Sequence, residues 1–174
     1  MKDKQKFFPF ILAGVAVLMF ISLFLKIVQY SEKAYGMTMK ITMTPWQIMT
    51  NKATASAMGQ TMTDTAGVGG GVRIMAVLFL LSVLAVIGLV VWFLFLNGPK
   101  DLITKIIMGV SGLELICLFV MGLGIKIDGT KLNPNFLWFI WLIFVIGQGV
   151  LAFLINKAEK EGGLTPAAPA APQA

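Results

Sequence analysis

The chain has 174 residues, of which 57% are hydrophobic and 13% are charged, with a net charge of +6 and a mean hydropathy of +0.86. A typical soluble domain carries about 25% charged residues, so this composition is typical of an integral membrane protein. The sequence has no histidine and one cysteine, Cys117. These counts exclude a His-ligated haem or zinc site, a CxxC redox pair, an intrachain disulfide and a histidine-based catalytic triad.

Four long apolar runs follow one another along the chain. They cover residues 7–28, 72–96, 102–125 and 135–155, and each is close to the roughly 20 residues that cross a bilayer as a helix. The runs are continuous rather than alternating, and four strands cannot close a membrane barrel. The sequence therefore predicts an all-α integral membrane protein, a four-transmembrane-helix bundle over residues 1–160.

The orientation of the chain is predicted from its N-terminus and its lysines. The first run is too long for a signal peptide and no A-x-A-like cleavage site follows it, which favours an uncleaved signal anchor. Four spans place both termini on one side. That side then holds seven lysines, and the opposite side holds six basic residues spread over a longer loop, so we expect both termini in the cytoplasm and a location in the cell membrane.

The loop between the first two runs, residues 29–71, is the only long one and is expected to be extracytoplasmic. Residues 37–43, MTMKITM, alternate apolar and polar side chains and predict a short strand. Thr44-Pro45-Trp46-Gln47 has the pattern of a capping box and predicts a helix over 45–58, ended by Gly59.

Three apolar side chains of that predicted helix are candidates for contact outside the bilayer: Trp46, Ile48 and Met49. They are expected to rest on the ends of the spans or on a partner. Anchoring of Trp46 to the membrane surface is the alternative.

Glu114 is the residue whose chemistry matters most, because it falls near the middle of the third run. A charged side chain at that depth costs about 2.5–3.5 kcal/mol on insertion scales, so the group faces protein or water, or is protonated. Candidate partners at similar depth are Gln148, Ser82 and Ser111. The set predicts either a proton or cation site, or a polar clamp between helices.

Two further patterns lie towards the C-terminus. Trp138 and Trp141 fall near the outer end of the fourth run and Trp92 near the inner end of the second, which is typical of an interfacial belt. Residues 161–174 are rich in Ala and Pro and predict a disordered tail.

The layout resembles a known family. One span, a long outer loop with a strand that leads into Met43-Thr44-Pro45-Trp46, and then three closely connected spans resemble the claudin-like tetraspan arrangement and small bacterial four-helix membrane proteins of unassigned function. The paired loop cysteines of claudins are missing from this chain, and no site residue is carried over from the family.

These patterns favour a non-catalytic protein that acts as a subunit or scaffold of a membrane assembly. A small transporter or channel that uses Glu114 is the alternative, and an enzyme would need a cluster of ionisable residues that the sequence does not contain. We expect no cofactor, no metal and no nucleic acid. The expected partners are the lipid bilayer and other membrane proteins or further copies of the chain.

Overall fold

The computed structural model describes residues 7–34, 36–96, 99–127 and 129–161. Within these ranges the chain forms five helices: α1 Phe8–Ser22, α2 Pro45–Met49, α3 Gly70–Phe95, α4 Lys100–Leu123 and α5 Phe136–Lys160. The strands of the same ranges are β1 Val28–Ala34, β2 Met37–Met43, β3 Lys52–Ala57, β4 Gln60–Thr65, β5 Lys126–Ile127, β6 Thr130–Lys131 and β7 Asn133–Pro134.

A five-stranded antiparallel sheet is the feature that the sequence prediction missed. Its strand order is β4-β3-β2-β1-β7, and β5 and β6 form a separate two-stranded ribbon. The predicted strand at 37–43 is confirmed as β2. The prediction of an all-α four-transmembrane-helix bundle is wrong, because most of the outer loop is sheet and, among the described residues, three helices rather than four have the length and composition of spans.

The three candidate spans are α3, α4 and α5, which are long and apolar enough to cross a membrane. They indicate a membrane-associated, multi-pass protein. α4 packs against both α3 and α5, and the shorter α1 packs against the same two helices from another side.

The first predicted span, 7–28, is too long at its C-terminal end. α1 has only 15 residues, and the chain from Lys26 onward joins the sheet through its backbone. Ile27 N donates to Met43 O at 3.0 Å, and Asn135 donates from its Nδ2 to Lys26 O at 2.6 Å and from its N to Ile27 O at 3.0 Å. Partners this distant in sequence, rather than local hydropathy, determine where the helix ends.

The helix predicted over 45–58 is also too long, although its capping box is confirmed. Thr44 Oγ1 accepts from Gln47 N at 3.1 Å, and Gln47 Oε1 accepts from Thr44 N at 3.0 Å. α2 then ends at Met49. Gly59, predicted to end the helix, instead forms the turn of a β3–β4 hairpin with Met58, both at positive φ as a two-residue turn requires.

The predicted tail, 161–174, lies outside the described residues except for Glu161, which follows the last turn of α5.

Candidate functional site

A buried polar cluster joins the three candidate spans. Gln148 of α5 donates from Nε2 to Glu114 Oε2 of α4 at 2.7 Å and to Ser111 Oγ at 3.0 Å. Ser82 of α3 lies beside the Glu114 carboxyl, although its own hydroxyl donates to Phe79 O at 2.7 Å. All four residues predicted for an intramembrane site are buried and come together.

Helix periodicity and the close approach of α4 and α5 bring these groups to the same place. Ser111 and Glu114 are three residues apart and therefore share one face of α4. Gly149 follows Gln148, and a Cβ added to it would lie 3.5 Å from Ser111 Cβ, in ordinary van der Waals contact, so α5 lies close to α4 at this level.

Two oxygens of the cluster are buried with no hydrogen-bond donor among the described residues: Glu114 Oε1 and Gln148 Oε1. An ionised carboxylate and an amide oxygen can only accept hydrogen bonds. A proton on Glu114 would turn Oε1 into a donor and leave Oε2 free to accept from Gln148. The cluster can therefore hold a neutral acid paired with an amide, or take up a proton or a cation.

A tryptophan and a glycine fix the same pair of helices nearer the sheet. Trp138 of α5 donates from Nε1 to Leu118 O of α4 at 3.0 Å, and its indole occupies the space above Gly122. Trp141, one turn further along α5, stacks on Phe79 of α3 with ring centroids 4.9 Å apart. Both tryptophans are buried in the protein, so the prediction that they form an interfacial belt is wrong.

A second polar cluster, at the end of the helices opposite the sheet, was missed by sequence reasoning. Asn156 of α5 donates from Nδ2 to Asp101 Oδ1 at 2.7 Å and to Thr104 Oγ1 at 2.9 Å. Lys105 forms an ion pair with the other oxygen of Asp101 at 2.5 Å. The available signal was that Asn156 directly follows the fourth apolar run and Thr104 lies near the start of the third, which places both polar residues at the same end of the helices.

The three candidate contact residues of the outer loop have different environments. Ile48 is fully buried in the main core, so it anchors α2 to the membrane helices and is not free for a partner. Trp46 is 45% exposed and its ring lies 6.1 Å from that of Phe24. Met49 is half-buried at the edge of a groove beside α3.

The register of the sheet separates its two faces by chemistry. Residues opposite each other on antiparallel strands share a face, and the pairs Met39–Ala57, Ile41–Ala55 and Ala55–Met62 therefore belong to one face. We call this the apolar face, and its apolar members are Val28, Tyr30, Met37, Met39, Ile41, Met43, Ala53, Ala55, Ala57 and Met62. The opposite face carries mainly threonine and lysine.

The apolar face is covered only at its base. Met43, close to the helices, is fully buried, whereas Met39 is 47% and Met62 is 71% exposed further out. Ala55, Ala57 and Met62 line a hollow of about 210 Å³ on this outer part. Sequence reasoning predicted β2 but could not find this surface, because β3 was predicted as part of a helix and β4 was not predicted.

Comparisons of the chain with protein-family models, with curated proteins and with solved structures give no match. The resemblance to the claudin-like arrangement stays a prediction.

Proposed function

We propose that the protein is a non-catalytic subunit or scaffold of a membrane assembly, and that it binds its partner through the outer part of the apolar face. The exposure of Met37, Met39 and Met62 on one face of an ordered sheet is the observation that carries this proposal. Methionine side chains are flexible and polarisable, and they are over-represented at surfaces that bind partners. Exposed contiguous apolar patches mark interaction sites.

The charged residues of the sheet indicate which charges the partner should carry. Glu32 lies opposite Met39 and Asp64 lies opposite Ala53, so both acids belong to the apolar face. Lys40 and Lys52 lie on the other face. The proposed partner is therefore another membrane protein, or a second copy of the chain, that presents apolar side chains bordered by basic ones.

Two substitutions on the apolar face test the proposal against two on the opposite face of the same strands. Met39→Lys combined with Met62→Lys should weaken association by about tenfold or more, because charges would be buried at the centre of the contact. Thr38→Lys combined with Thr61→Lys adds the same charge to the other face and should leave association unchanged. The fraction of protein recovered in high-mass species after mild detergent extraction measures both effects.

Equal loss of the high-mass species in both pairs would contradict the proposal, because the effect would then follow added charge rather than the face. An unchanged fraction of high-mass species in the variant with Met39→Lys and Met62→Lys would contradict the proposal as well.

Within this function, we propose a structural role for the cluster of Glu114, Gln148 and Ser111. A neutral acid paired with a buried amide links α4 to α5, and hydrogen bonds of this kind between membrane helices are worth about 0.6–2 kcal/mol. The unpaired oxygens Glu114 Oε1 and Gln148 Oε1 favour a second candidate function, a small transporter or channel in which Glu114 binds a proton or a cation.

We also propose that the sheet lies outside the cell and that both ends of the chain lie in the cytoplasm of a cell-membrane protein. Leu12 of α1 and Ile155 of α5 belong to one apolar cluster with Val90 and Ile103, so the start of α1 lies beside the end of α5, away from the sheet. The excess of lysine per residue in the short segments at that end favours the cytoplasmic side.

Cysteine labelling tests this orientation. In a Cys117→Ala background, Lys40→Cys on the sheet should react with a membrane-impermeant maleimide in intact cells. Lys157→Cys at the end of α5 should react only after the membrane is permeabilised. The reverse pattern, or equal labelling of both cysteines in intact cells, would contradict the proposed orientation.

A further inference from the structure

The groove beside α3 has an apolar wall and a cationic end. It measures about 390 Å³ and lies between α2 and α3. Its lining consists of Met49, Gly70, Arg73, Ile74, Val77 and Leu78. The five α3 residues recur at the spacing of one helix face, and the groove therefore follows the helix axis away from the sheet.

Arg73 makes one end of this groove cationic, whereas the rest of its lining is apolar. It is the last charged residue before an uncharged stretch that extends to Leu96, so it lies at the boundary between the candidate span and the sheet. Ile74 and Val77, below it, are exposed on the surface of that span. A ligand in the groove would meet a cation at the boundary and apolar side chains within the bilayer.

The guanidinium of Arg73 is positioned but not neutralised. Its Nε donates to Met49 O at 3.4 Å, which holds the group at the groove that Arg73 lines. No described carboxylate forms an ion pair with it. The described sheet end as a whole is basic, with Lys26, Lys33, Lys40, Lys52, Arg73, Lys126 and Lys131 against Glu32 and Asp64.

We propose that this groove binds one anionic phospholipid of the leaflet that faces the sheet. The phosphate would accept hydrogen bonds from Arg73, whose planar guanidinium suits phosphate oxygens, and one acyl chain would lie along Ile74, Val77 and Leu78. The charge complementarity at the boundary favours an anionic headgroup over a zwitterionic one. The bound lipid would fill the space between α2 and α3 and so support the base of the sheet.

Native mass spectrometry of the full chain from nanodiscs tests the site. The nanodiscs contain equal amounts of phosphatidylglycerol and phosphatidylcholine with the same acyl chains. Wild type should retain phosphatidylglycerol in preference to phosphatidylcholine, and Arg73→Gln should reduce that preference about fivefold. Lys126→Gln removes one exposed charge from the same end and should leave the preference intact. Equal effects of the two variants, or no preference in wild type, would overturn the proposal.

A second variant separates a lipid from a free anion. Val77→Trp fills the apolar part of the groove and keeps Arg73, so it should also reduce retained phosphatidylglycerol. Inorganic phosphate in excess should not displace the lipid from wild type. Unchanged retention of phosphatidylglycerol by Val77→Trp, or displacement of the lipid from wild type by inorganic phosphate, would overturn the proposal and indicate a simple anion site. Reaction of the buried Cys117 with a thiol dye during heating verifies that each variant is folded.

Discussion

Gly122→Ala is expected to lower the free energy of unfolding by about 2–5 kcal/mol. A Cβ at this position would lie 2.7 Å from Cε2 of Trp138 and closer still to Nε1. The indole cannot move aside without breaking its 3.0 Å hydrogen bond to Leu118 O, which is buried. The cost therefore combines overpacking with a lost hydrogen bond.

Gly112→Ala is the matched control for that substitution. Gly112 lies on the same helix, and a Cβ added there would meet no atom within 4 Å. Because alanine is also the better helix former, this variant should be as stable as wild type or slightly more so. Thermal unfolding, followed by the reaction of buried Cys117 with a thiol dye, measures both variants. Equal stability of the two would contradict the packing of Trp138 against Gly122.

Gln148→Leu is expected to lower the free energy of unfolding by about 1–3 kcal/mol. Glu114 would lose the donor that lies 2.7 Å from its Oε2, and the hydroxyl of the neighbouring Ser82 already donates to Phe79 O. Glu114→Gln keeps an oxygen that accepts from Gln148 Nε2, so it should stay close to wild-type stability. A double-mutant cycle with Glu114→Leu and Gln148→Leu should give a coupling of about 0.6–2 kcal/mol.

The same variants distinguish the clamp from the transport alternative. If Glu114 only joins α4 to α5, Glu114→Gln should behave as wild type in the cell and in any assembly assay. If Glu114 binds a proton or cation during transport, Glu114→Gln should abolish flux into liposomes without loss of stability. A coupling near zero in the double-mutant cycle would contradict the clamp.

Features set by hydropathy and helix periodicity could be predicted from the sequence. The three long apolar helices, and the meeting of Glu114 with Gln148 and Ser111, follow from depth and spacing along continuous apolar runs. The capping box at Thr44 is local and was confirmed for the same reason. Each of these depends on neighbours within one helix or on residues at matching depth.

Features that depend on distant partners could not be predicted. β3 consists mostly of Ala, Thr and Ser, a composition that is compatible with a helix after a capping box, and β4, which pairs with β3, was not predicted. Asn51, with a φ of 58°, turns the chain after α2 and accepts from Val68 N at 2.7 Å, a contact that reaches beyond the hairpin. The end of α1 likewise depends on Met43 and Asn135.

The native mass of the wild-type protein, extracted gently from its own membranes, is the most direct test of the proposed role as an assembly subunit. The proposed function predicts a species heavier than one 18.9 kDa chain with its detergent and lipid. That species should contain other polypeptides or further copies of the chain, and Met39→Lys with Met62→Lys should dissociate it. A wild-type protein that stays monomeric in membranes after cross-linking, and also after extraction, would contradict it.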